Sequence, residues 1–203
     1  MQGGGGRRRR RAPGHRRDPL PHDRSRPGWA EQDPGDWWEA ACASIRHLRG
    51  GLPPGARPFG IGATGQMHTL VALDRTLAVI RPAILWSDRR SQEQAESIGR
   101  IVGEQVLLDI TRNPSRAAFT ASKLAWLKDH EPRSAAQVRH VLLPKDWLVL
   151  RVGRRAGDRA SDASGTGWFD VAGQDWSATL IGALGLSRDV LADVHPSASV
   201  PGR

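Results

Sequence analysis

The chain has 203 residues, 38% of them apolar and 25% charged, enough for one domain with a real hydrophobic core. No apolar run approaches the roughly 18 residues that a membrane helix needs, no secretion-signal segment opens the chain, and the single cysteine, Cys42, has no partner for an intramolecular disulfide, so a cytoplasmic location is expected. The net charge of +9 would suit a nucleic-acid partner, but most of the excess sits in residues 1–26, where arginine far outnumbers the two aspartates, Asp18 and Asp23.

Residues 1–25 consist largely of Gly, Arg and Pro with almost no aliphatic side chain, a composition that cannot bury enough surface to offset its ordering entropy. A disordered leader is expected there. It reads either as a basic arm for phosphate backbones or as a low-complexity leader without a ligand, and the absence of interleaved aromatic residues favours the second. Asp33 before Pro34 forms an N-cap and first turn. Trp38, Ala41, Cys42, Ile45 and Leu48 then recur at spacings of three and four, which predicts a helix with one apolar face. Cys42 on that face reads as a small buried apolar residue ahead of a reactive thiol. Trp29, Trp37 and Trp38 could stack on a sugar, but anchoring the start of the helix in the core is the favoured reading. Gly50 to Pro58 ends the helix, and a strand is expected before Gly62.

Ile61 to Arg90 carries the densest signals. Gly62, Thr64 and Gly65 allow close backbone approach beside Gln66, Met67 and His68, which offer an amide, a thioether and an imidazole. Val71–Leu73 reads as a strand, Asp74-Arg75 as a turn, Leu77–Ile80 as a returning strand and Ala83–Trp86 as a further short apolar run. That run stops abruptly at Ser87-Asp88-Arg89-Arg90, which places polar groups at a candidate site mouth.

Ser91 is expected to cap a helix, a second helix to cover 103–110, and a third to run from Thr120 to His130 with Leu124 and Leu127 inward, broken by Pro132. Val141–Leu143 reads as a buried strand, Lys145–Leu150 as a helix, Arg154–Gly167 as a polar loop, Trp168–Val171 as an edge strand and Asp175–Leu186 as a capped helix with a glycine stop. Within the loop, Ser161 and Ser164 lack a G-x-S-x-G elbow and are not read as nucleophiles. Asp158 and Asp162 are read as loop caps ahead of metal ligands.

The segments IGATGQMHTLVALD, RPAILWSDRR, LLPKDWL and SDASGTGWFDV, preceded by GWAEQDPGDWW, resemble in order and spacing the N-terminal half of bacterial xylulokinases of the FGGY carbohydrate kinase family. The resemblance runs from about Arg26 to the C-terminus. It implies an α/β fold, the ribonuclease H-like, actin-type ATPase domain with a mixed central sheet and flanking helices, and the alternation of short strands with helices agrees. It divides the chain into the leader, 1–25, and a partial sugar-binding FGGY N-terminal domain, 26–203, with the sheet expected to be truncated at both ends.

For function, the resemblance implies ATP and Mg2+ as cofactors and D-xylulose or a similar ketose as substrate. It makes Met67 and His68 the sugar contacts, with Gln66 and Asp88 supporting them from behind; Asp88 reads equally well as a local ion-pair partner of Arg89 or Arg90. Met67-His68 stands where glycerol kinases carry Arg-Glu, which favours xylulose over glycerol. The family's phosphate-binding hairpin, D-x-G-T-S, has no counterpart here, and its catalytic aspartate, in a G-G-G-D-N-A segment, would fall beyond residue 203. No catalytic or metal-binding residue is therefore assigned, and this polypeptide by itself is expected to be inactive. Open sheet edges would favour a homodimer or association with a complementary kinase half. The alternatives are a basic nucleic-acid-binding protein acting through the N-terminal arginines and another FGGY sugar or polyol kinase.

Overall fold

Strands buried on both faces need apolar side chains at every position, and the short runs Val71-Ala-Leu, Ala83-Ile-Leu and Val141-Leu-Leu meet that requirement. In the computed structural model, which describes residues 20, 21, 23, 26–57, 60–153 and 157–197, successive residues of these runs enter two different cores. Leu70, Ala72, Ile84 and Val141 pack with Ile98, Leu107, Leu124, Leu127 and Leu180 on one side. Val71, Leu73, Ala83, Leu85 and Leu142 pack with Trp37 and Trp147 on the other. The result is a helix–sheet–helix arrangement in which each fully buried Leu or Val contributes roughly 1.5–3 kcal/mol.

In chain order the elements are β1 (Glu31–Gln32), α1 (Pro34–Gly50), β2 (Val71–Leu73), β3 (Ala83–Ile84), α2 (Gln92–Val102), α3 (Glu104–Thr111), α4 (Thr120–His130), α5 (Pro132–Ala135), β4 (His140–Leu142), α6 (Pro144–Arg151), β5 (Gly157–Arg159), α7 (Ala160–Ala163), β6 (Phe169–Asp170), β7 (Asp175–Trp176), α8 (Ala178–Ala183) and β8 (Asp193–His195). β1 pairs antiparallel with β3, β2 with β4 and β6 with β7, whereas β5 and β8 are parallel. Single bridges connect some of these pairs. Leu70 meets Ile84, linking β3 to the strand that becomes β2, and Val141 of β4 meets Leu191 in parallel, whereas β6 and β7 stand as a separate pair. Strand pairing is thus mixed, as the resemblance implies, and the order across the centre is β1, β3, β2, β4.

The termini of several elements follow from local chemistry. Asp33 accepts the Gly35 amide at 2.7 Å and starts α1 with Pro34 in its first turn. Thr120–His130 is helical over the predicted span, with Leu124, Trp126 and Leu127 buried, and Pro132 starts α5. The turn after β2 is held by Asp74, whose carboxylate accepts from the Thr76 amide and hydroxyl and from the Ala78 amide; these bonds, the Thr76 hydroxyl first, hold its pKa below the usual range.

Several expectations are corrected. The returning strand at Leu77–Ile80 contributes only one bridge, Val79 to Leu73, because Leu77 turns left-handed (φ 65°) and Pro82 has no amide to extend a ladder. The strand expected before Gly62 falls partly on residues 58 and 59, which lie outside the described residues; 60–65 are exposed and form no strand. The predicted apolar stripe of α1 is not buried: Trp38 and Ala41 are half-buried, Ile45 and Leu48 are each 44% exposed, and the helix is anchored instead through Trp37, which meets Trp147 of α6 edge-on at 6.2 Å. Cys42 is half-buried. Ser91 stands at the α2 N-cap but does not cap it, since its hydroxyl donates to the Ala117 carbonyl. The loop expected at Arg154–Gly167 contains β5 and α7, because β8 offers β5 a parallel partner. The cap of α8 is Ser177, which accepts the Leu180 amide, and Asp175 lies in β7. Of the leader, residues 1–19 lie outside the described residues; Leu20 packs against the second core and Asp23 pairs with Glu31.

Candidate functional site

The turn at Gly65–His68 lies where four other segments converge. At Gly65 an added Cβ would stand 3.3 Å from the Lys145 amide nitrogen at the start of α6, so the absent side chain lets the turn close on that helix. Gly62 has open space around it, and the expected close approach is confined to Gly65. His68 adopts a left-handed backbone (φ 67°), a conformation that costs a non-glycine residue roughly 1–2 kcal/mol. Surrounding contacts must hold it there. The ring lies 5.0 Å from that of Phe119, at the N-cap of α4, and Nδ1 is 2.5 Å from the Gly165 carbonyl oxygen, just after α7.

That carbonyl can only accept, so a neutral His68 carries its proton on Nδ1 and keeps a lone pair on Nε2. Burial pushes the imidazole pKa below its ordinary value, with the Lys123 charge acting in the same direction and the Gly165 carbonyl and Asp162 against it. Gly165 is bound to this arrangement: a Cβ there would lie 2.4 Å from His68 Cε1. Met67, beside it, is 38% exposed and Gln66 is half-buried.

The fourth segment is the end of the β3 run. Leu70 bridges Ile84 antiparallel, and beyond that bridge the Trp86 amide donates to the Thr69 hydroxyl at 3.1 Å, which ties the end of the β3 run to the residue after His68. Trp86 is 54% exposed. Sequence reasoning read Trp86 only as the end of a short apolar run and did not mark it.

Asp88 lies elsewhere. It is 1% exposed, and its carboxylate accepts the Ala30 amide at 2.6 Å, the Arg90 amide at 2.9 Å and the Arg90 guanidinium at 2.7–3.0 Å. Arg90 also pairs with Glu31 and lies over the Trp29 ring at 3.5 Å; Arg81 bridges Glu31 and Glu131. Asp88 therefore ties β1 to the end of the β3 run through Arg90, not Arg89. Trp29 and Trp37 are likewise committed to the core, Trp29 edge-on to Trp126 at 5.5 Å and Trp37 donating to Gln32 at 3.0 Å.

Beneath the turn is a residue that sequence reasoning left unmarked. Lys123 of α4 is fully buried, and its ammonium donates to the His68 carbonyl at 2.9 Å and to the Ala118 carbonyl. Desolvation lowers its pKa to about 7, partly opposed by Asp88. The signal was present: Phe119, Lys123 and Leu127 stand four apart on one apolar helix row. Nearby, Lys145 pairs with Asp146 at 2.5 Å and Asp162 at 3.1 Å, so Asp162 serves an ion pair between α6 and α7 instead of the expected loop cap. The side chain of Asp158 lies outside the described residues. Among the described residues no three His, Cys, Asp or Glu side chains are grouped so as to hold a metal ion, and no helix is long and apolar enough to cross a membrane.

Residues 10–203 match the family described as the FGGY family of carbohydrate kinases, N-terminal domain. The chain is 41% identical over 181 residues to a xylulose kinase of Klebsiella pneumoniae and 38% identical over 179 residues to one of Escherichia coli strain K12. These alignments take in 89% and 88% of this chain but 37% and 36% of those proteins, so the chain spans little more than a third of the length of the curated relatives it matches. Among solved structures, it superposes on a xyloylose kinase from Brucella ovis with a TM-score of 0.80 at 37% identity, covering 87% of this chain and 36% of that one. Xylulose kinase from Rhodospirillum rubrum superposes with a TM-score of 0.85 at 28% identity, covering 91% and 39%.

Proposed function

The chain belongs to the FGGY family of carbohydrate kinases, and from that premise we propose that it carries the sugar-binding face of a xylulokinase-like enzyme, with the turn Gln66-Met67-His68 contacting D-xylulose or a similar ketose. The observation that carries this reading is the state of His68: Nδ1–H is committed to the Gly165 carbonyl, and Nε2 makes no hydrogen bond among the described residues. A fixed lone pair on a half-buried ring is a ready acceptor for a sugar hydroxyl. Met67, the preceding residue, and Trp86, whose amide is bonded to the Thr69 hydroxyl, are both exposed and offer apolar surface on which the C–H face of a sugar packs. Gln66 supports the turn as its half-buried neighbour. Asp88 acts on the site at most through the backbone, by holding the β3 run that carries Trp86.

The family's chemistry is ATP-dependent phosphoryl transfer, which would draw on ATP and Mg2+. The described residues do not fit those groups: they present no acidic cluster for a metal, and the sequence has no D-x-G-T-S segment. We therefore derive no transfer step from these residues. What this chain's residues do is bind the acceptor sugar, orient one hydroxyl at His68 Nε2 and cover one side of it from water.

Half a cleft leaves the ligand wet on its other side, so affinity for xylulose is expected in the millimolar range, about −4 kcal/mol. Ligand-observed NMR with D-xylulose and with glycerol tests the reading. Xylulose is expected to bind in preference to glycerol, and His68→Ala to lose about 1 kcal/mol through one hydrogen bond, while His140→Ala leaves binding unchanged. Equal binding by wild type and His68→Ala, or a preference for glycerol, would overturn it.

A further inference from the structure

Lys123 is a fully buried lysine with no carboxylate among its hydrogen-bond partners, which are both main-chain carbonyls. Burying an ammonium is costly, and a methionine or leucine would fill the same volume in this apolar row without that penalty. The two carbonyls it binds belong to the segments that flank the His68 ring. One is the carbonyl of His68 itself, whose left-handed backbone needs an external hold; the other is that of Ala118, immediately before the Phe119 ring that faces the imidazole. A single ammonium thus joins the sugar-contacting turn to the start of α4. The third wall of the histidine is fixed to the same helix, since the Ala121 amide donates to the Thr166 carbonyl, one residue after Gly165.

We propose that Lys123 is a positioning residue for the sugar site: its ammonium clamps the His68 carbonyl to α4 and so holds the imidazole with Nδ1–H on Gly165 and Nε2 toward the ligand. The clamp acts through geometry and touches no substrate. In its bearing on sugar binding it rests on the reading of Gln66-Met67-His68 as the sugar-contacting turn. Its effect on the imidazole does not depend on any sugar.

The test uses the full 203-residue chain, labelled with 13C and 15N, as wild type and as Lys123→Met, which keeps the volume and removes the donors. The wild-type His68 ring is expected to show the Nδ1–H tautomer with that proton protected from exchange. In folded Lys123→Met the signature is expected to be lost, with averaging of the two ring nitrogens, and D-xylulose affinity to fall about threefold, within the loss expected for His68→Ala. A folded Lys123→Met with the wild-type imidazole spectrum overturns the clamp. Should that variant not fold, wild type decides: through-hydrogen-bond coupling from Lys123 Nζ to the His68 carbonyl carbon is expected, and its absence overturns the proposal. If the imidazole responds as expected but wild type binds no xylulose, the clamp stands and the sugar reading fails.

Discussion

Two buried polar clusters occupy the same fold and are built on opposite plans. Around Asp88, every charge meets an opposite charge: Arg90 with Asp88 and Glu31, Arg81 with Glu31 and Glu131, and the Arg90 guanidinium lies between Trp29 and Trp126. Around His68, the backbone is left-handed, the nearest cation is a lysine bonded only to carbonyls, and one ring nitrogen stays open. The first cluster is closed and joins β1 to the end of the β3 run; the second is held in a less favourable conformation and faces outward. Charge satisfied internally serves architecture, whereas polar groups fixed with capacity to spare serve a ligand.

The comparison breaks most sharply at Asp88. Asp88→Ala strips Arg90 of its main partner and leaves a buried guanidinium and the Ala30 amide short of acceptors, with an expected loss of about 3–5 kcal/mol in urea unfolding. Because Asp88 also favours the charged form of Lys123, the His68 imidazole spectrum of the remaining folded protein is expected to change, but less than in Lys123→Met. A loss under about 1 kcal/mol, or a change at His68 as large as in Lys123→Met, would contradict the division of labour between the clusters.

Gly165→Ala probes the second cluster directly. The new methyl would overlap the His68 ring, and the expected destabilisation is about 1–3 kcal/mol, smaller than for Asp88 because the half-exposed ring can swing outward. Xylulose binding should weaken by about as much as in His68→Ala, about 1 kcal/mol. Retained binding would separate Gly165 from the site.

The lysine sharpens the contrast through pH. Its folded pKa of about 7 lies below the unfolded value near 10.5, so between these values the unfolded chain holds a proton that the folded chain has released, and stability rises with pH across that window. The groups that bear on this titration are Asp88, which raises the pKa, and Arg90, which lowers it; His68 is the third titratable neighbour. From pH 7 to pH 8 wild type is expected to gain about 1 kcal/mol in urea unfolding relative to Lys123→Met. Equal changes in both proteins would contradict the buried, desolvated ammonium.

Much of this architecture was legible in the sequence because it rests on local rules. Short apolar runs announced the strands at Val71 and Val141, Asp33-Pro34 marked a helix start, and Pro132 marked the break after His130, all of which the structure keeps. Gly65, Met67 and His68 stood out as a cluster because they are contiguous. What stayed hidden depends on residues far apart: Gly165 lies 97 positions from the ring it accommodates, Lys123 lies 55 from the carbonyl it holds, and the Trp86 amide lies 17 from the Thr69 hydroxyl that accepts it. Asp88 was ambiguous for the same reason, since the Ala30 amide that claims it lies 58 residues away. The stripe of α1 misled because periodicity reports which side chains share a face and not whether that face is covered, and Ile45 and Leu48 remain open.

The most direct measurement follows the two His68 ring nitrogens during a titration with D-xylulose. Nε2 is expected to shift progressively toward the value of a hydrogen-bonded acceptor, saturating in the millimolar range, while the Nδ1–H signal stays in place on Gly165. A His68 ring that does not respond to saturating xylulose, or whose Nδ1–H responds in place of Nε2, would contradict the assignment of this turn as the sugar-contacting face.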